Sequence, residues 1–193
     1  MNAAGIMKNK KLVIFDFDDT LVASDEHLIL VTQENGVVIS LNGKDWSSYA
    51  PRPGDVFDFS NLEYLKNPRP VEKVWKILID RLWFLGWHNV HILSARGSRK
   101  PLEKYFREEK VHVQIHCLGI PPGQNNGTHK AGWIESQILK EDYKVIEFFD
   151  DREDCVTEVA ALKNKYPDIL FFVWQIRHGD LVLIDPSGHT GQQ

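Results

Sequence analysis

Residues 12–21 read LVIFDFDDTL, an apolar run followed at once by three carboxylates. A short, continuous apolar run that ends in turn-forming residues is typical of a strand buried on both faces of a parallel sheet. Asp16, Asp18 and Asp19 therefore fall at the carboxyl end of the predicted first strand. Ligands of open α/β sheets bind at this end of the strands, where successive loops meet. The stretch thus indicates a fold class and places a candidate site.

The rest of the chain alternates β-rich runs with segments whose apolar residues have helical spacing, the pattern of a parallel sheet covered on both faces. We therefore predict a three-layer, doubly wound, Rossmann-like α/β fold with right-handed crossovers. The predicted strands are residues 12–16, 89–93, 111–118, 145–149 and 169–176. The predicted helices run from Val71 to Gly86, from after Ser98 to about Lys110, onward from an N-cap near Thr128, and onward from Asp151.

Residues 22–70 carry turn signals and short β-prone pieces but no pattern for a long helix. The clearest turn signals are ENG at 34–36, LNGKDW at 41–46 and YAPRPGD at 49–55. We predict a small β and loop insertion after the first strand, within a single domain that covers residues 1–193.

Composition and charge exclude several classes of protein. The formal net charge of −4 argues against a protein that coats nucleic acid non-specifically. Cys117 and Cys155 have no CxxC spacing, so neither a disulfide framework nor a zinc site is predicted. The N-terminal residues MNAAGIMKNKK lack the apolar segment of a secretory signal, and no apolar run approaches the length of a membrane span. We expect a cytoplasmic protein with no membrane partner.

The carboxylates after the first strand suit phosphoryl chemistry. A carboxylate such as Asp16 can attack phosphorus as a nucleophile and form an acyl phosphate. A second carboxylate two residues later, Asp18, can protonate the leaving group and then activate water. Because two carboxylates repel a phosphate dianion, this chemistry requires a hard cation and a fixed positive side chain.

Residues elsewhere in the chain can supply both. Ser94 ends the strand in HILSARG and offers a hydroxyl for a phosphoryl oxygen. Lys130 lies near the predicted start of the third helix, where the helix dipole assists its charge. Asp150 and Asp151 follow the strand VIEFF and offer ligands for Mg²⁺ opposite Asp16.

These pieces, in this order, resemble the haloacid dehalogenase (HAD) superfamily of phosphohydrolases. The resemblance spans residues 11–181 and implies a HAD-type fold and a Mg²⁺-dependent phosphatase. The matching elements are FDFDDTL for the first motif, DxDxT, at Asp16, Asp18 and Thr20, LSAR for the second at Ser94, Lys130 for the third and FFDDRED for the fourth. The presence of Asp18 favours phosphoryl transfer, because superfamily members that cleave carbon–halogen bonds lack an acid/base there.

The resemblance also implies a role for each matched position. Asp16 is the nucleophile and a metal ligand. Asp18 is the acid/base, and its backbone carbonyl contacts Mg²⁺. The phosphoryl group is held by Ser94 and Lys130. The metal site is completed by Asp150, with Asp151 close by.

Three further residues are predicted to contact the substrate. Thr20 is the last position of the first motif, and His129 is next to Lys130. Arg96 is the member of the basic stretch after Ser94 that we expect to point inward. The aromatic residues of the insertion can either stack on a base or pack in a core.

Each position also has an ordinary structural interpretation. Asp150 and Asp151 can be an acidic helix cap, and Lys130 can be a solvated surface lysine. Asp19 is expected to face solvent or cap the following turn. Asp154 is either a helix-surface residue or a contact to the metal through water. A HAD-like domain that binds phosphorylated partners without turnover is the alternative to an enzyme.

The segments that set substrate choice are the loops. In the resembled superfamily, a domain inserted between the first two motifs often forms a cap, but residues 22–70 are too few and too poor in helix for a full helical cap. We predict a small flap and a partly open site that admits large substrates. The SAR, DDR and WQIRHGD elements resemble 3′-phosphatase domains of polynucleotide kinase-phosphatases, and DDR also resembles 5′-nucleotidases that act on deoxyribonucleotides.

We therefore expect a phosphorylated substrate that is a nucleic-acid 3′-end or a nucleotide. The alternative is a small metabolite or a phosphoprotein. No obligate protein partner is evident from the sequence.

Overall fold

The computed structural model describes residues 10–25 and 28–184. Residues 1–9, on which the cytoplasmic expectation largely rests, lie outside this part of the chain. None of the described helices has the length and apolar character needed to cross a membrane. The strands are β1 (Lys10–Phe15), β2 (Val22–Asp25), β3 (Ile29–Thr32), β4 (Val38–Leu41), β5 (Val56–Asp58), β6 (Lys66–Pro70), β7 (Val90–Ser94), β8 (Gln114–Cys117), β9 (Tyr143–Asp150), β10 (Leu170–Arg177) and β11 (Asp180–Ile184). The helices are α1 (Gly43–Ser48), α2 (Glu72–Leu85), α3 (Lys100–Glu108), α4 (Asn126–Lys140) and α5 (Glu153–Lys165).

Six of these strands form one sheet, in the order β11-β10-β9-β1-β7-β8. Every neighbouring pair is parallel except β10 and β11, which are antiparallel at one edge. The prediction of an α/β fold with a largely parallel central sheet is confirmed.

Alternate residues of β1 show that helices cover both faces of this sheet. Val13 and Phe15 pack in one apolar cluster with residues of α2 and α3. Leu12 and Ile14 pack in a second cluster with residues of α4 and α5. Since side chains alternate along a strand, the continuous apolar run reflects burial on both faces.

The edge strand β11 is absent from the sequence-based prediction. His178 and Gly179 join it to β10 with φ angles of 52° and 82°. Two positive φ angles are the geometry of a tight type I′ hairpin turn. His-Gly is a weaker signal for this turn than Asn-Gly, although the apolar run that follows it could have indicated a hairpin.

Two boundaries differ from the prediction. The N-cap of α4 is Asn125 rather than a residue near Thr128, and Asn125 Oδ1 accepts a hydrogen bond from the Thr128 amide at 3.1 Å. Asparagine caps helices as well as threonine does, so Asn125 can take this role. The strand predicted over residues 111–118 is shorter, since only Gln114–Cys117 pair with β7.

The described residues of the insertion, 22–25 and 28–70, contain more regular secondary structure than the predicted hairpin and loop. Strands β3, β4 and β5 form a three-stranded antiparallel sheet, and β2 pairs with β6. Val31, Leu41 and Trp46 belong to an apolar cluster of the insertion itself. The short helix α1 begins after Asn42, whose side chain accepts hydrogen bonds from two amides of the first turn.

Helices α4 and α5 pack closely at Gly127. A Cβ atom at this position would lie 2.3 Å from the backbone oxygen of Asp154, which is an overlap. We expect Gly127→Ala to lower the free energy of unfolding by about 1–3 kcal/mol, because either helix must shift. Gly132→Ala in the same helix is the matched control, since its Cβ would meet nothing within 4 Å. That change should raise stability by about 0.5–1 kcal/mol. Equal effects in thermal or urea unfolding would contradict this packing.

Candidate active site

The predicted nucleophile and the predicted metal ligand lie side by side at the ends of two adjacent strands. Phe15 and Phe149 are register partners in β1 and β9, so Asp16 and Asp150 follow them at the same edge of the sheet. The Asp16 amide donates to the Phe149 carbonyl at 2.9 Å. Both carboxylates are buried.

Lys130 joins the two carboxylates. Its Nζ lies 2.5 Å from Asp16 Oδ1 and 2.7 Å from Asp150 Oδ2. The lysine is 1% exposed, so it is not the solvated surface lysine of the ordinary interpretation. Burial opposes its charge, but the carboxylates of Asp150 and Asp16 outweigh burial and raise the pKa of Lys130 well above its usual value. The ammonium group is therefore a fixed positive charge at the site.

Asp151 adds a third carboxylate. Ligand oxygens of Asp16, Asp150 and Asp151 all lie within 4.8 Å of one another. Burial, with a contribution from neighbouring carboxylates, raises the pKa of Asp16. Burial and the charge of Asp150 raise the pKa of Asp151 to about 7. One lysine cannot neutralise two buried carboxylates and a half-buried third, and an all-oxygen donor set with excess negative charge suits a hard divalent cation such as Mg²⁺.

Thr20 and Gln175 hold Asp151 in place. The Thr20 hydroxyl accepts from the Asp151 amide at 2.9 Å and donates to Asp151 Oδ1 at 3.1 Å. Thr20 is fully buried and is not among the described residues that line the cleft, so its contact is with the carboxylate. Gln175 Nε2 donates to the Asp151 carbonyl at 3.1 Å. Sequence reasoning missed Gln175, although a glutamine within the apolar run LFFVWQI is a signal for a buried polar role.

Arg96 points inward and pairs with Asp18 through two hydrogen bonds. Its Nε and Nη2 lie 2.8 Å from the two carboxylate oxygens of Asp18. Its Nη1 donates to the Leu62 carbonyl in the insertion at 2.9 Å. Burial opposes the charge of this arginine, but the hydrogen bonds to Asp18 outweigh it and raise the pKa of Arg96. The paired carboxylate is the predicted acid/base.

Ser94 and His129 are placed differently from the other predicted site residues. Ser94 is 1% exposed at the end of β7, and its Oγ accepts from the Arg96 amide at 3.2 Å. Ser94 is not among the described residues that line the cleft, whereas the next residue, Ala95, is. His129 is exposed and pairs with Gln124, and it does not line the cleft. The helix turn that directs Lys130 inward directs its neighbour outward.

Arg152 is a site residue whose contacts the sequence did not indicate. It pairs with both carboxylate oxygens of Asp154, at 2.9 and 3.0 Å. It also donates to the Gly43 carbonyl and to Ser47 Oγ, each at 2.9 Å, and so ties α5 to the insertion. Its backbone amide donates to Asp150 Oδ1 at 2.9 Å.

A cleft of about 1440 Å³ separates the sheet edge from the insertion. Asp16, Asp18 and Asp151 lie on the sheet side, and Trp46, Phe57 and Phe59 line the side formed by the insertion. Trp46 serves packing, since it is largely buried and its Nε1 donates to the Ile120 carbonyl at 3.0 Å. Phe59 is 43% exposed and contacts the rings of Trp46 and Phe57. Asp19 and Asp154 also line the cleft.

Comparisons with known proteins show little. No family model matches the chain, and no curated protein sequence matches it. Among solved structures, the chain is similar to one described as "Structure of Pnkp1/Rnl/Hen1 complex", with 19% identity and a TM-score of 0.46. The similarity covers 90% of this chain and 48% of the other chain, so this chain spans about half the length of that relative.

Proposed function

We propose that the chain is a Mg²⁺-dependent phosphomonoesterase of HAD type that forms an aspartyl phosphate on Asp16 and acts on a nucleic-acid 3′-end or a nucleotide. The observation that carries the proposal is the convergence of Asp16, Asp150 and Asp151 around Lys130 at the carboxyl edge of the sheet. A nucleophilic carboxylate, ligands for a hard cation and a buried cation occur together there, as phosphoryl transfer from an anionic ester requires.

In the first step, an Asp16 oxygen attacks phosphorus and the bond from phosphorus to the leaving-group oxygen breaks. The leaving oxygen takes a proton from Asp18, which yields an alcohol and the aspartyl phosphate. In the second step, water attacks phosphorus and gives a proton to Asp18. Inorganic phosphate leaves, and both carboxyl groups return to their starting states.

Lys130 and Arg96 are the positively charged side chains that balance the negative charge of the phosphoryl group and the carboxylates in this reaction. Lys130 orients Asp16 and neutralises phosphoryl oxygens. Arg96, which grips Asp18 through two hydrogen bonds, can exchange that carboxylate for a phosphoryl oxygen. Once freed by this exchange, Asp18 takes a proton from solvent before the first step and gives it to the leaving group, and the water of the second step restores it.

Asp16, Asp150 and Asp151 would hold the metal ion, together with the backbone carbonyl of Asp18. When bound, the ion supplies positive charge that offsets repulsion between the carboxylates and the phosphate. Thr20 and Gln175 keep Asp151 directed toward this position.

Support for a nucleotide-sized substrate comes from the cleft. Its volume of about 1440 Å³ exceeds the range of about 300–1,000 Å³ typical of small-ligand pockets. Phe59 is partly exposed in the cleft and can stack on a base, and such stacking is tolerant of base identity.

A substrate panel tests this function. We expect 3′-phosphorylated oligonucleotides to be hydrolysed faster than nucleoside 5′-monophosphates, sugar phosphates and phosphopeptides in the presence of Mg²⁺. EDTA should remove the activity, because three carboxylates then face the phosphate with one lysine. Equal rates on all substrates would refute the nucleic-acid preference, and full activity in EDTA would refute the metal requirement.

A further inference from the structure

Asn126 is a buried amide in the wall of the cleft that the protein leaves incompletely bonded. The residue is 5% exposed and lines the cleft together with Asp16 and Lys130. Its Oδ1 atom has no hydrogen-bond partner among the described residues. Helix capping does not explain it, since Asn125 supplies the cap of α4. The Oδ1 atom is itself shielded from solvent, and a buried polar atom without a partner costs free energy. A substrate group toward which the amide turns in the cleft would remove this cost.

The position of Asn126 indicates which part of the substrate it meets. It is the first residue of α4, and Lys130 follows one turn later on the same side of the helix. The long side chain of Lys130 reaches the carboxylates at which phosphorus reacts. Asn126 is one turn nearer the helix start, so a substrate with its phosphorus at these carboxylates can place the carbon skeleton beside the phosphate against Asn126.

The chemistry of the amide selects a neutral polar group. An asparagine side chain offers one acceptor and two donors and carries no charge. A hydroxyl group both donates and accepts, so it can pair with either end of the amide. In a ribose 3′-phosphate, the neutral polar group closest to the phosphate is the hydroxyl on the neighbouring carbon.

We propose that Asn126 binds the hydroxyl next to the phosphate-bearing carbon, which makes the site selective for ribose 3′-phosphates over 2′-deoxyribose 3′-phosphates. This specificity rests on the proposed phosphatase function. The 2′-hydroxyl is the group by which a protein site distinguishes RNA from DNA. The substrate class is therefore an RNA 3′-phosphate end.

The test compares two oligonucleotide 3′-phosphates that differ only in the terminal 2′-hydroxyl. We expect the wild-type protein to favour the hydroxylated substrate by about tenfold in kcat/KM, equivalent to about 1.4 kcal/mol. Asn126→Ala should reduce the ratio of the two kcat/KM values to about one. Asn164→Ala, at an exposed position of α5 that does not line the cleft, is the control and should retain the ratio.

A stability measurement separates recognition from a role in folding. Because Asn126→Ala removes an unsatisfied amide and adds a good helix former, its Tm should stay within about 2 °C of the wild-type value. A large fall in Tm would assign Asn126 to the fold and overturn the inference. Equal wild-type rates on both substrates, or a preference that persists in Asn126→Ala, would overturn the inference and leave the phosphatase function standing. Failure to hydrolyse either substrate would overturn both.

Discussion

Asp16→Asn is expected to lower kcat on every phosphomonoester substrate by at least about 10⁴-fold. The neutral amide of asparagine is a much weaker nucleophile than a carboxylate, so the aspartyl phosphate does not form. The protein should remain folded. Burial raises the pKa of Asp16, so the ionised carboxylate costs stability at neutral pH, and a neutral amide removes that cost. Steady-state kinetics and thermal unfolding of the same preparation check both parts.

Asp80→Asn is the matched control for this change. Asp80 is exposed on α2 and does not line the cleft, so the substitution should leave kcat and Tm near their wild-type values. An Asp16→Asn protein as active as the wild type would show that the nucleophile lies elsewhere. An inactive protein with a much lower Tm would show that Asp16 acts through the fold.

Lys130→Met is expected to affect both activity and stability. Lys130 is the buried cation between Asp16 and Asp150, and its removal leaves buried carboxylates without their partner. Loss of one member of a buried ion pair costs about 3–5 kcal/mol. For a domain of this size we expect a fall in Tm of roughly 10 °C. Activity should fall by at least about 10³-fold, because the phosphoryl oxygens lose a fixed positive charge.

The pH dependence of Tm in Lys130→Met shows whether unpaired charge or lost packing causes the fall in stability. Without Lys130, the buried carboxylates favour protonation more strongly, so they bind more protons in the folded than in the unfolded state. The difference in Tm from wild type should therefore shrink as the pH falls from about 8 to 5. Lys76→Met, at an exposed position of α2, is the control and should show neither effect. A Lys130→Met difference that is constant across this pH range would indicate lost packing rather than unpaired charge.

The central sheet and its site could be predicted because both depend on local sequence patterns. Continuous apolar runs mark strands buried on two faces, and the residues after each run must then lie at one edge of a parallel sheet. This reasoning is sufficient to place Asp16 next to Asp150. It also brings Lys130 inward, since a helix that follows a strand starts at the same edge.

Other contacts could not be predicted, because they depend on where loops fold back. The acceptors for Arg96 and Arg152 in the insertion include the backbone carbonyls of Leu62 and Gly43, and such acceptors carry no residue-specific signal. Thr20 was predicted as a substrate contact, but its hydroxyl is bonded to Asp151. The residue before Thr20, Asp19, has a φ of 58°, and the sequence did not indicate this left-handed turn.

The most direct test of the central claim is a chemical identification of the covalent intermediate. Turnover is stopped with acid, the protein is treated with borohydride, which reduces an acyl phosphate to an alcohol, and peptides are analysed by mass spectrometry. We predict homoserine at position 16, formed only when substrate and Mg²⁺ are both present, and absent from Asp16→Asn. Homoserine at position 18, or unmodified Asp16 when a burst of alcohol release shows that an intermediate accumulates, would contradict the assignment of Asp16 as the nucleophile.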